Sequence, residues 1–184
     1  MKTIQIIGKN FCGTAAHTRI ACRGVVEENG RLLLSHERST GWYLIPGGGL
    51  EGSESPEECC VRELLEETGY EVTPTELFLT LEECYGDWRY ISHYFRCTVT
   101  GQGEPHLTEL EKERGLTPEW VDITEALAIF AEHRNLAHYE EKRGTYMREH
   151  RALECFLEKL RKLSFSGAAA KASPGGKLAK ISDF

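Results

Sequence analysis

The segment from residue 55 to residue 69 constrains the fold most, because it carries the start and stop signals of one short helix. Ser55 followed three residues later by Glu58 makes a capping box, and Pro56 occupies the first helical position. Gly69 stands where a left-handed residue commonly ends a helix. The sequence therefore predicts a helix that begins at Pro56 and ends just before Gly69.

Three glutamates give this helix a charged face. Glu63, Glu66 and Glu67 stand at positions i, i+3 and i+4, so their carboxylates share one side of a helix. Like charges at this spacing repel, and no Lys or Arg follows four residues after any of them to form a salt bridge. Oxygen ligands gathered at one spot suit a hard cation such as Mg²⁺ or Mn²⁺. We therefore expect a divalent metal site here, with Arg62 holding a carboxylate in one rotamer.

The surroundings of this helix also follow from the sequence. Upstream, the glycine-rich residues 46–49 predict a tight loop rather than a strand, with a bare backbone that can approach a ligand or a metal. The helix face away from the glutamates is apolar and should bury against a sheet. It is formed by Cys60, Val61, Leu64 and Leu65.

The segment from Gly48 to Tyr70 resembles the Nudix box. In that pattern a glycine, five residues, a glutamate and seven residues precede Arg-Glu-U-x-Glu-Glu-x-Gly-U, where U is a bulky apolar residue. Tyr70 departs from the usual aliphatic residue at the last position, but it is still bulky and largely apolar. The other fixed positions are filled without a gap by Gly48, Glu54, Arg62, Glu63, Leu64, Glu66, Glu67 and Gly69.

The resemblance implies an α/β fold, an α/β/α sandwich around a mixed sheet, to which this chain adds an extra C-terminal helix. It also implies a Mg²⁺-dependent hydrolase that cleaves the pyrophosphate bond of a nucleoside diphosphate linked to another moiety. In such an enzyme a metal-activated water attacks phosphorus. By the resemblance, Glu63, Glu66 and Glu67 bind the metal with the backbone carbonyl of Gly48, and Glu54 has a structural or water-mediated role.

Two alternatives keep the same fold but change the function. The first is a Nudix-fold sensor or regulator that binds a nucleotide without cleaving it. The intact set of acids argues against this alternative, because such sensors commonly lose those acids. The second is a Nudix-fold isomerase, although the additional metal and proton-transfer groups that it needs are not visible in the sequence.

Many Nudix enzymes take a further glutamate from a loop downstream of the box. Residues 101–115 are polar and rich in acids, and they predict such a loop. Glu111 is our choice for the assisting catalytic residue, and Glu109 and Glu113 lie in the same stretch. Glu82 and Glu83, at the end of a predicted strand, are the reserve candidates.

Aromatic and basic side chains are the candidates for substrate contacts, because a ring can stack on a base and an arginine can clamp a phosphate. We select Arg23, Arg38, Trp42 and Tyr85, although residues of each kind more often belong to the core or to the surface. The nucleoside and the group linked to it stay open, since those contacts lie in variable loops.

The rest of the chain alternates strand and helix patterns. Asn29-Gly30 predicts a hairpin turn between strands. Residues 1–163 are expected to form a single domain in which 145–163 is an appended helix, and residues 164–184 a flexible tail. Strands are predicted at 2–7, 19–27, 31–38, 42–45, 71–84, 90–100 and 118–121, and further helices at 123–131 and 145–163.

Composition limits the partners of the chain. The formal net charge of -7 argues against nonspecific binding to nucleic acid or to a membrane surface, and no apolar run is long enough to cross a bilayer. Seven scattered cysteines and a polar start without a signal peptide favour a reduced, cytoplasmic setting. The expected partner is a small-molecule nucleotide, and the 145–163 helix could also support a homodimer.

Overall fold

The structure, a computed structural model, describes residues 2–136, 138 and 140–171, with residue 140 and residues 163–171 described by their backbone alone. The α-helices are α1 (Pro56–Thr68), α2 (Glu109–Arg114), α3 (Ile123–Ala131) and α4 (Glu140–Lys171), with a 3₁₀ turn at Glu132–Arg134. The strands are β1 (Lys2–Ile7), β2 (His17–Glu28), β3 (Arg31–Glu37), β4 (Trp42–Leu44), β5 (Gly47–Gly49), β6 (Tyr70–Tyr85), β7 (Trp88–Gln102) and β8 (Leu116–Asp122).

The strands form one mixed sheet in the order β1-β6-β7-β2-β3-β4, with β5 paired to β2 and β8 paired to β3. The pairs β1–β6 and β2–β7 are parallel, and the other pairs are antiparallel. Alternate side chains of each strand enter two separate cores, as the pleat requires: Val25 packs with α3 and α4, and Val26 packs with α1. This arrangement confirms the predicted α/β/α sandwich and its C-terminal helix.

Elements with strong local signals lie where the sequence predicts them. The β2–β3 hairpin turns at Asn29 and Gly30, whose φ angles of 53° and 80° suit a tight two-residue turn. At the start of α1, Ser55 accepts a hydrogen bond from the Glu58 amide at 3.2 Å, and the Glu58 carboxylate accepts one from the Ser55 amide at 2.7 Å. Gly69 ends the helix with φ 72°. The predicted boundaries of α1 are therefore confirmed.

Two expected loops are partly regular structure. Residues 47–49 form strand β5, because they pair in register with Ala21, Cys22 and Arg23 of β2. The predicted loop at 101–115 is wrong in its second half, where α2 forms behind a capping box of Thr108 and Glu111. Pairing with a distant strand overrides the flexibility of the glycines, and the short helix depends on its cap.

The C-terminal helix is longer than predicted. α4 covers Glu140–Lys171 instead of 145–163, so it includes the first eight residues of the expected tail, and residues 172–184 lie outside the described residues. Its apolar side chains enter the core shared with α3 and the sheet, with Leu153 and Phe156 almost completely buried. Across the described ranges, the helices are all too short or too polar to span a bilayer.

Candidate active site

Two of the three candidate metal-binding glutamates of α1 are buried in the protein. Glu63 and Glu67 are buried, with only 9% and 8% of their surfaces exposed, whereas the Glu66 side chain is 39% exposed. The predicted apolar face is also present, since Cys60 and Leu64 are fully buried. α1 therefore buries both apolar and acidic side chains, and the acids need polar partners in the interior.

Four glutamates form what we call the acidic cluster: Glu54, Glu63, Glu66 and Glu67. Arg62 contacts the first three. Its Nη1 donates to Glu63 at 2.9 Å and to Glu66 at 3.0 Å. Its Nε and Nη2 donate to the two carboxylate oxygens of Glu54 at 3.0 and 2.7 Å, and Nη2 also donates to the Gly49 carbonyl at 3.0 Å. The hydrogen bond from Arg62 lowers the pKa of the Glu54 carboxyl to about 2. One guanidinium thus fixes three carboxylates relative to β5, which we call the glycine strand.

Glu67 has a separate set of partners on the sheet. Its Oε2 accepts hydrogen bonds from the Ser35 hydroxyl at 2.8 Å and from the Gly47 amide at 3.2 Å. Burial raises the pKa of the Glu67 carboxyl to about 8, although these hydrogen bonds and the charge of Arg23 oppose the rise. Glu67 therefore holds a proton readily at neutral pH until another cation takes its place.

The Glu63 carboxylate lies directly against the backbone of Gly48. A Cβ atom built on Gly48 would stand 2.5 Å from both carboxylate oxygens, so any side chain at this position would displace Glu63. Burial raises the pKa of Glu63, and the nearby charge of Glu111 adds to the rise. The glycine provides the space in which this acid sits.

The cluster offers the ligands that a divalent cation prefers. Among the described residues, no three acidic, histidine or cysteine side chains already converge on one point. The hydrogen bonds explain this, because Glu63 and Glu66 turn to Arg62 while Glu67 turns to Ser35. The first two acids nevertheless share one guanidinium nitrogen, so they already flank a single positive charge. Their oxygen chemistry and the adjoining Gly48 backbone fit Mg²⁺.

Glu111, the expected assisting acid, caps α2. Its Oε2 accepts hydrogen bonds from the Thr108 amide at 2.7 Å and the Thr108 hydroxyl at 2.8 Å. The segment before α2 is attached to α1, because the His106 amide donates to the Glu66 carbonyl at 2.9 Å. This attachment and the effect of Glu111 on Glu63 place α2 beside the cluster.

The reserve candidates for the assisting acid have other partners on β6. Glu82 accepts a hydrogen bond from Arg89 at 2.8 Å, and the buried Glu83 lies 3.6 Å from Arg148. Glu82 also accepts a hydrogen bond from Gln5 of β1 at 3.1 Å, so the partners of these two acids lie on β1, β7 and α4. Neither shares a hydrogen bond with α1 among the contacts described.

The residues expected to contact the substrate lie on or next to four different strands, β2, β3, β4 and β6. Arg23 lies under β5, where its Nη1 donates to the Ile45 and Gly47 carbonyls at 3.0 and 3.2 Å. Arg38, at the end of β3, donates to Thr117 at 3.0 Å. The structure therefore gives Arg23 a backbone-supporting position, and the substrate contacts of the four residues stay predictions.

The two aromatic candidates pack near α4. The Lys142 ammonium lies 5.5 Å from the centre of the Trp42 ring. Tyr85 lies at the end of β6 with its hydroxyl 4.0 Å from the position of a Cβ on Gly144. Burial, followed by the charge of Glu83, raises the pKa of the Tyr85 hydroxyl. Both rings therefore belong to the side of the sheet that α4 covers.

Several residues around the cluster carry no sequence signal. Ser35 binds Glu67 from strand β3, and a serine inside an apolar strand gives no local indication of this role. Arg148 of α4 lies 3.6 Å from Glu83 of β6, and the neighbouring, completely buried Glu149 contacts β2 and β7. Only the three-dimensional arrangement reveals these contacts.

Comparisons with known proteins show which sequences and structures this chain is similar to. A sequence profile described as NUDIX domain matches residues 16–142. The chain is 35% identical over 104 residues to a MutT-like protein of Streptomyces ambofaciens, covering 56% of this chain and 65% of that protein. It is 32% identical over 112 residues to diphosphoinositol polyphosphate phosphohydrolase 3-alpha of Mus musculus, covering 60% and 66%. The matches thus span just under two thirds of these relatives.

A solved structure shares the fold over more of its length. The NUDIX hydrolase from Nitrosomonas europaea superposes with a TM-score of 0.54 at 25% identity. The superposition covers 72% of this chain and 90% of that one. The similarity of fold therefore extends over most of both chains.

Proposed function

This chain belongs to the NUDIX domain family, and from that membership we propose that it is a Mg²⁺-dependent hydrolase of pyrophosphate bonds. Its proposed substrate is a nucleoside diphosphate linked to another moiety. The observation that carries the proposal is the placing of the three acids beside strand β5: Glu63 and Glu66 meet at Arg62, and Glu67 binds the Gly47 amide. This supports a binding site over an ordinary solvated helix face, because such a face would leave its acids in water instead of burying two of the three.

Glu63, Glu66, Glu67 and the Gly48 carbonyl would hold the ion. A bound Mg²⁺ supplies charge compensation for phosphate oxygens and lowers the pKa of a coordinated water. Mn²⁺ has the same preference for oxygen ligands and could replace it. The protein contributes the orientation of these ligands, which determines whether the substrate phosphate is correctly placed.

Arg62 and the sheet are proposed to pre-organise the acids. Arg62 fixes Glu63 and Glu66 through one nitrogen, and its bidentate contact with Glu54 prevents the guanidinium from rotating. Ser35 holds Glu67 from the opposite side. The acids are thus held at defined positions before substrate arrives, which lowers the cost of ordering them during the reaction.

Glu111 is proposed to accept a proton from the attacking water. Its carboxylate is only partly buried and caps a short helix, so a small movement of α2 would free it. It lies near enough to Glu63 to influence that residue's pKa. A positioned general base of this kind contributes about 10²–10⁴-fold to a rate.

The family and the relatives support the proposed substrate class. The mouse relative is named for the phosphohydrolysis of diphosphoinositol polyphosphate, and other matches are named ADP-ribose pyrophosphatase. The chemistry shared by these names is a diphosphate with an organic group attached. We propose the same diphosphate for this chain, with the nucleoside as the attached group.

The proposal is tested with a panel of nucleotide sugars, dinucleotides, capped nucleotides and oxidised nucleotides in the presence of Mg²⁺. The expected result is release of a nucleoside monophosphate from at least one member. Glu66→Gln and Glu67→Gln should lower that turnover at least about 100-fold while the far-UV circular dichroism spectrum is unchanged.

Glu58→Gln is the matched control, because it lies on the same helix and glutamine preserves the capping box. We expect its turnover to stay within about twofold of wild type. Wild-type turnover in Glu66→Gln or Glu67→Gln would refute the catalytic assignment. Nucleotide binding without any turnover would favour the sensor alternative.

A further inference from the structure

A buried charged network joins α4 to the sheet. Two arginines and two glutamates meet with a tyrosine between α4 and strands β2, β6 and β7. Glu149 is completely buried, and the side chains of the two arginines are 13% and 14% exposed. The members are Arg23, Glu83, Tyr94, Arg148 and Glu149.

Glu149 is the centre of this network. Its Oε1 accepts hydrogen bonds from Arg148 Nη2 at 2.8 Å and Nε at 3.3 Å, and its Oε2 accepts one from the Tyr94 hydroxyl at 3.1 Å. Its Oε1 also lies 3.8 Å from Arg23 Nε. That Arg23 nitrogen is shielded from water and has no hydrogen-bond partner among the described residues, so Glu149 balances its charge through space.

Arg23 connects the network to the glycine strand. Its Nη1 holds the carbonyls of Ile45 and Gly47, and the Gly47 amide donates to Glu67 at 3.2 Å. Gly47 adopts φ 141°, and a Cβ there would stand 2.6 Å from the Arg23 Cα, so the two backbones are in direct contact. A displacement of Arg23 therefore changes the position of the Gly47 amide that binds Glu67.

We propose that Glu149 is a positioning residue for the acidic cluster, acting through Arg23 on strand β5. Glu149 balances Arg23 and keeps its guanidinium on the Ile45 and Gly47 carbonyls, away from Glu67. This inference rests on the proposed function, because it assumes that Glu67 binds the metal. It assigns a role in the site to α4 at a position beyond residues 16–142, where the family match ends.

Loss of the Glu149 charge has a definite consequence in this geometry. Arg23 and Arg148 would then share only Glu83, and buried arginines without a counter-charge are strongly unfavourable. Besides Glu83 and Glu149, the positive charge of Arg23 also acts on the Glu67 carboxylate, where it opposes the rise of the pKa. Arg23 would therefore pair more closely with Glu67 and compete with a cation for that carboxylate.

The test measures Mn²⁺ binding directly, without substrate, from the electron paramagnetic resonance signal of free Mn²⁺. Glu149→Gln preserves the size of the side chain and removes only its charge. We expect its dissociation constant for Mn²⁺ to rise about 10-fold, the usual scale for residues that support metal ligands. In the same variant, kcat at saturating Mg²⁺ should return close to the wild-type value. The Mg²⁺ concentration that gives half-maximal turnover should stay higher than in wild type.

Two control variants separate positioning from packing. Tyr94→Phe removes a hydrogen bond from the same carboxylate but retains the charge facing Arg23, so Mn²⁺ binding should stay within about twofold of wild type. Glu76→Gln removes the ion pair between Lys159 of α4 and Glu76 of β6. Among the contacts described, neither residue touches Arg23, so Mn²⁺ binding in this variant should also stay within about twofold of wild type. Equal weakening in all three variants would overturn the inference.

Arg23→Lys tests the same connection from its other end and serves if Glu149→Gln does not fold. Lysine keeps the charge but has only one nitrogen, so it cannot hold the two carbonyls and face Glu149 at the same time. Mn²⁺ binding should therefore weaken similarly. Binding in Glu149→Gln and Arg23→Lys equal to wild type would overturn this inference alone. Wild-type protein that binds no Mn²⁺ at millimolar concentrations would overturn the proposed function as well.

Discussion

At the scale of single residues, Gly48 shows how tightly the acidic cluster is built. Its backbone leaves no space for a Cβ beside the Glu63 carboxylate. Gly48→Ala should therefore push Glu63 away from the glycine strand and lower turnover about 10- to 100-fold, which is the scale for lost support of a metal ligand. Turnover at saturating Mg²⁺ and Mn²⁺ binding are the measurements.

Gly49→Ala is the matched control for Gly48→Ala. A Cβ at Gly49 meets only the Arg19 side chain, at 3.5 Å or more, which is ordinary contact. We expect a much smaller loss than in Gly48→Ala, because Glu63 is not displaced. Similar losses in the two variants would show that the strand tolerates no side chain at all, and the specific role of Gly48 would be wrong.

Glu67 predicts a pH dependence of stability in the metal-free protein. Its pKa is about 8 in the folded state and near the ordinary 4.5 in the unfolded state, because burial disfavours the charged form. Between these values the unfolded chain releases its proton first, so rising pH favours unfolding in this window. Relative to Glu67→Gln, the wild-type free energy of unfolding should fall by roughly 4 kcal/mol from pH 4.5 to pH 8.

Urea denaturation of both proteins with a chelator present measures this difference. The other titrating groups are common to the two proteins, so their contributions largely cancel. Saturating Mg²⁺ should abolish most of the decline, because the ion replaces the proton on Glu67. A difference that does not change with pH would contradict the proposed protonation of Glu67.

At the scale of elements, the sequence predicts those whose signals are local. The cap at Ser55, the left-handed Gly69 and the turn at Asn29-Gly30 each act within a few residues, and the structure confirms all three. Strand β5 is different, because residues 47–49 become a strand only by pairing with β2. The α2 helix had a readable signal, the Thr108–Glu111 capping box, but its six residues are too few for a periodic pattern.

The α2 helix allows the cap and the chemistry of Glu111 to be tested separately. Glutamine is also accepted in a capping box, so Glu111→Gln keeps the helix while removing the carboxylate base. Turnover should fall at least about 100-fold, with Mn²⁺ binding and thermal stability close to wild type. Glu109→Gln, on the same turn and highly exposed, is the control.

Unchanged turnover in Glu111→Gln would reassign the base. The reserve acids Glu82 and Glu83 would then be substituted in the same assay. Loss of thermal stability together with turnover would instead mean that Glu111 acts only through the helix cap.

At the scale of the whole molecule, α4 is part of the main core. Leu153 is fully buried and packs in the same cluster as β-sheet residues and α3. Leu153→Ala should lower the free energy of unfolding by about 2–5 kcal/mol in one cooperative transition. Tryptophan fluorescence during urea denaturation is the measurement, since the three tryptophans lie in the sheet.

Leu110→Ala is the control for Leu153→Ala, because Leu110 is 55% exposed and should cost less than about 0.5 kcal/mol. Two separate transitions in the wild type would contradict the single-domain proposal for residues 1–163. If α4 unfolded separately, the denaturation curve would show an additional transition, and Leu153→Ala would shift only that transition.

The charged network under α4 marks the limit of prediction from the sequence. The resemblance to the Nudix box identifies the acids of α1, because all of them lie within one short helix. Arg23, Tyr94 and Glu149 come from β2, β7 and α4, and no spacing rule relates them. Their relationship depends on the sheet order and on the position of α4, which are properties of the complete fold.

The thiols beneath α1 have one more consequence. Cys12 is exposed, whereas Cys22, Cys59, Cys60 and Cys97 are enclosed where α1 meets the sheet, and burial raises the pKa of the Cys22 thiol to about 11. An alkylating reagent should modify Cys12 quickly. It should reach the enclosed thiols only when α1 separates locally from the sheet. The rate at which the enclosed thiols are alkylated, followed by mass spectrometry, would therefore report how often α1 opens away from the sheet.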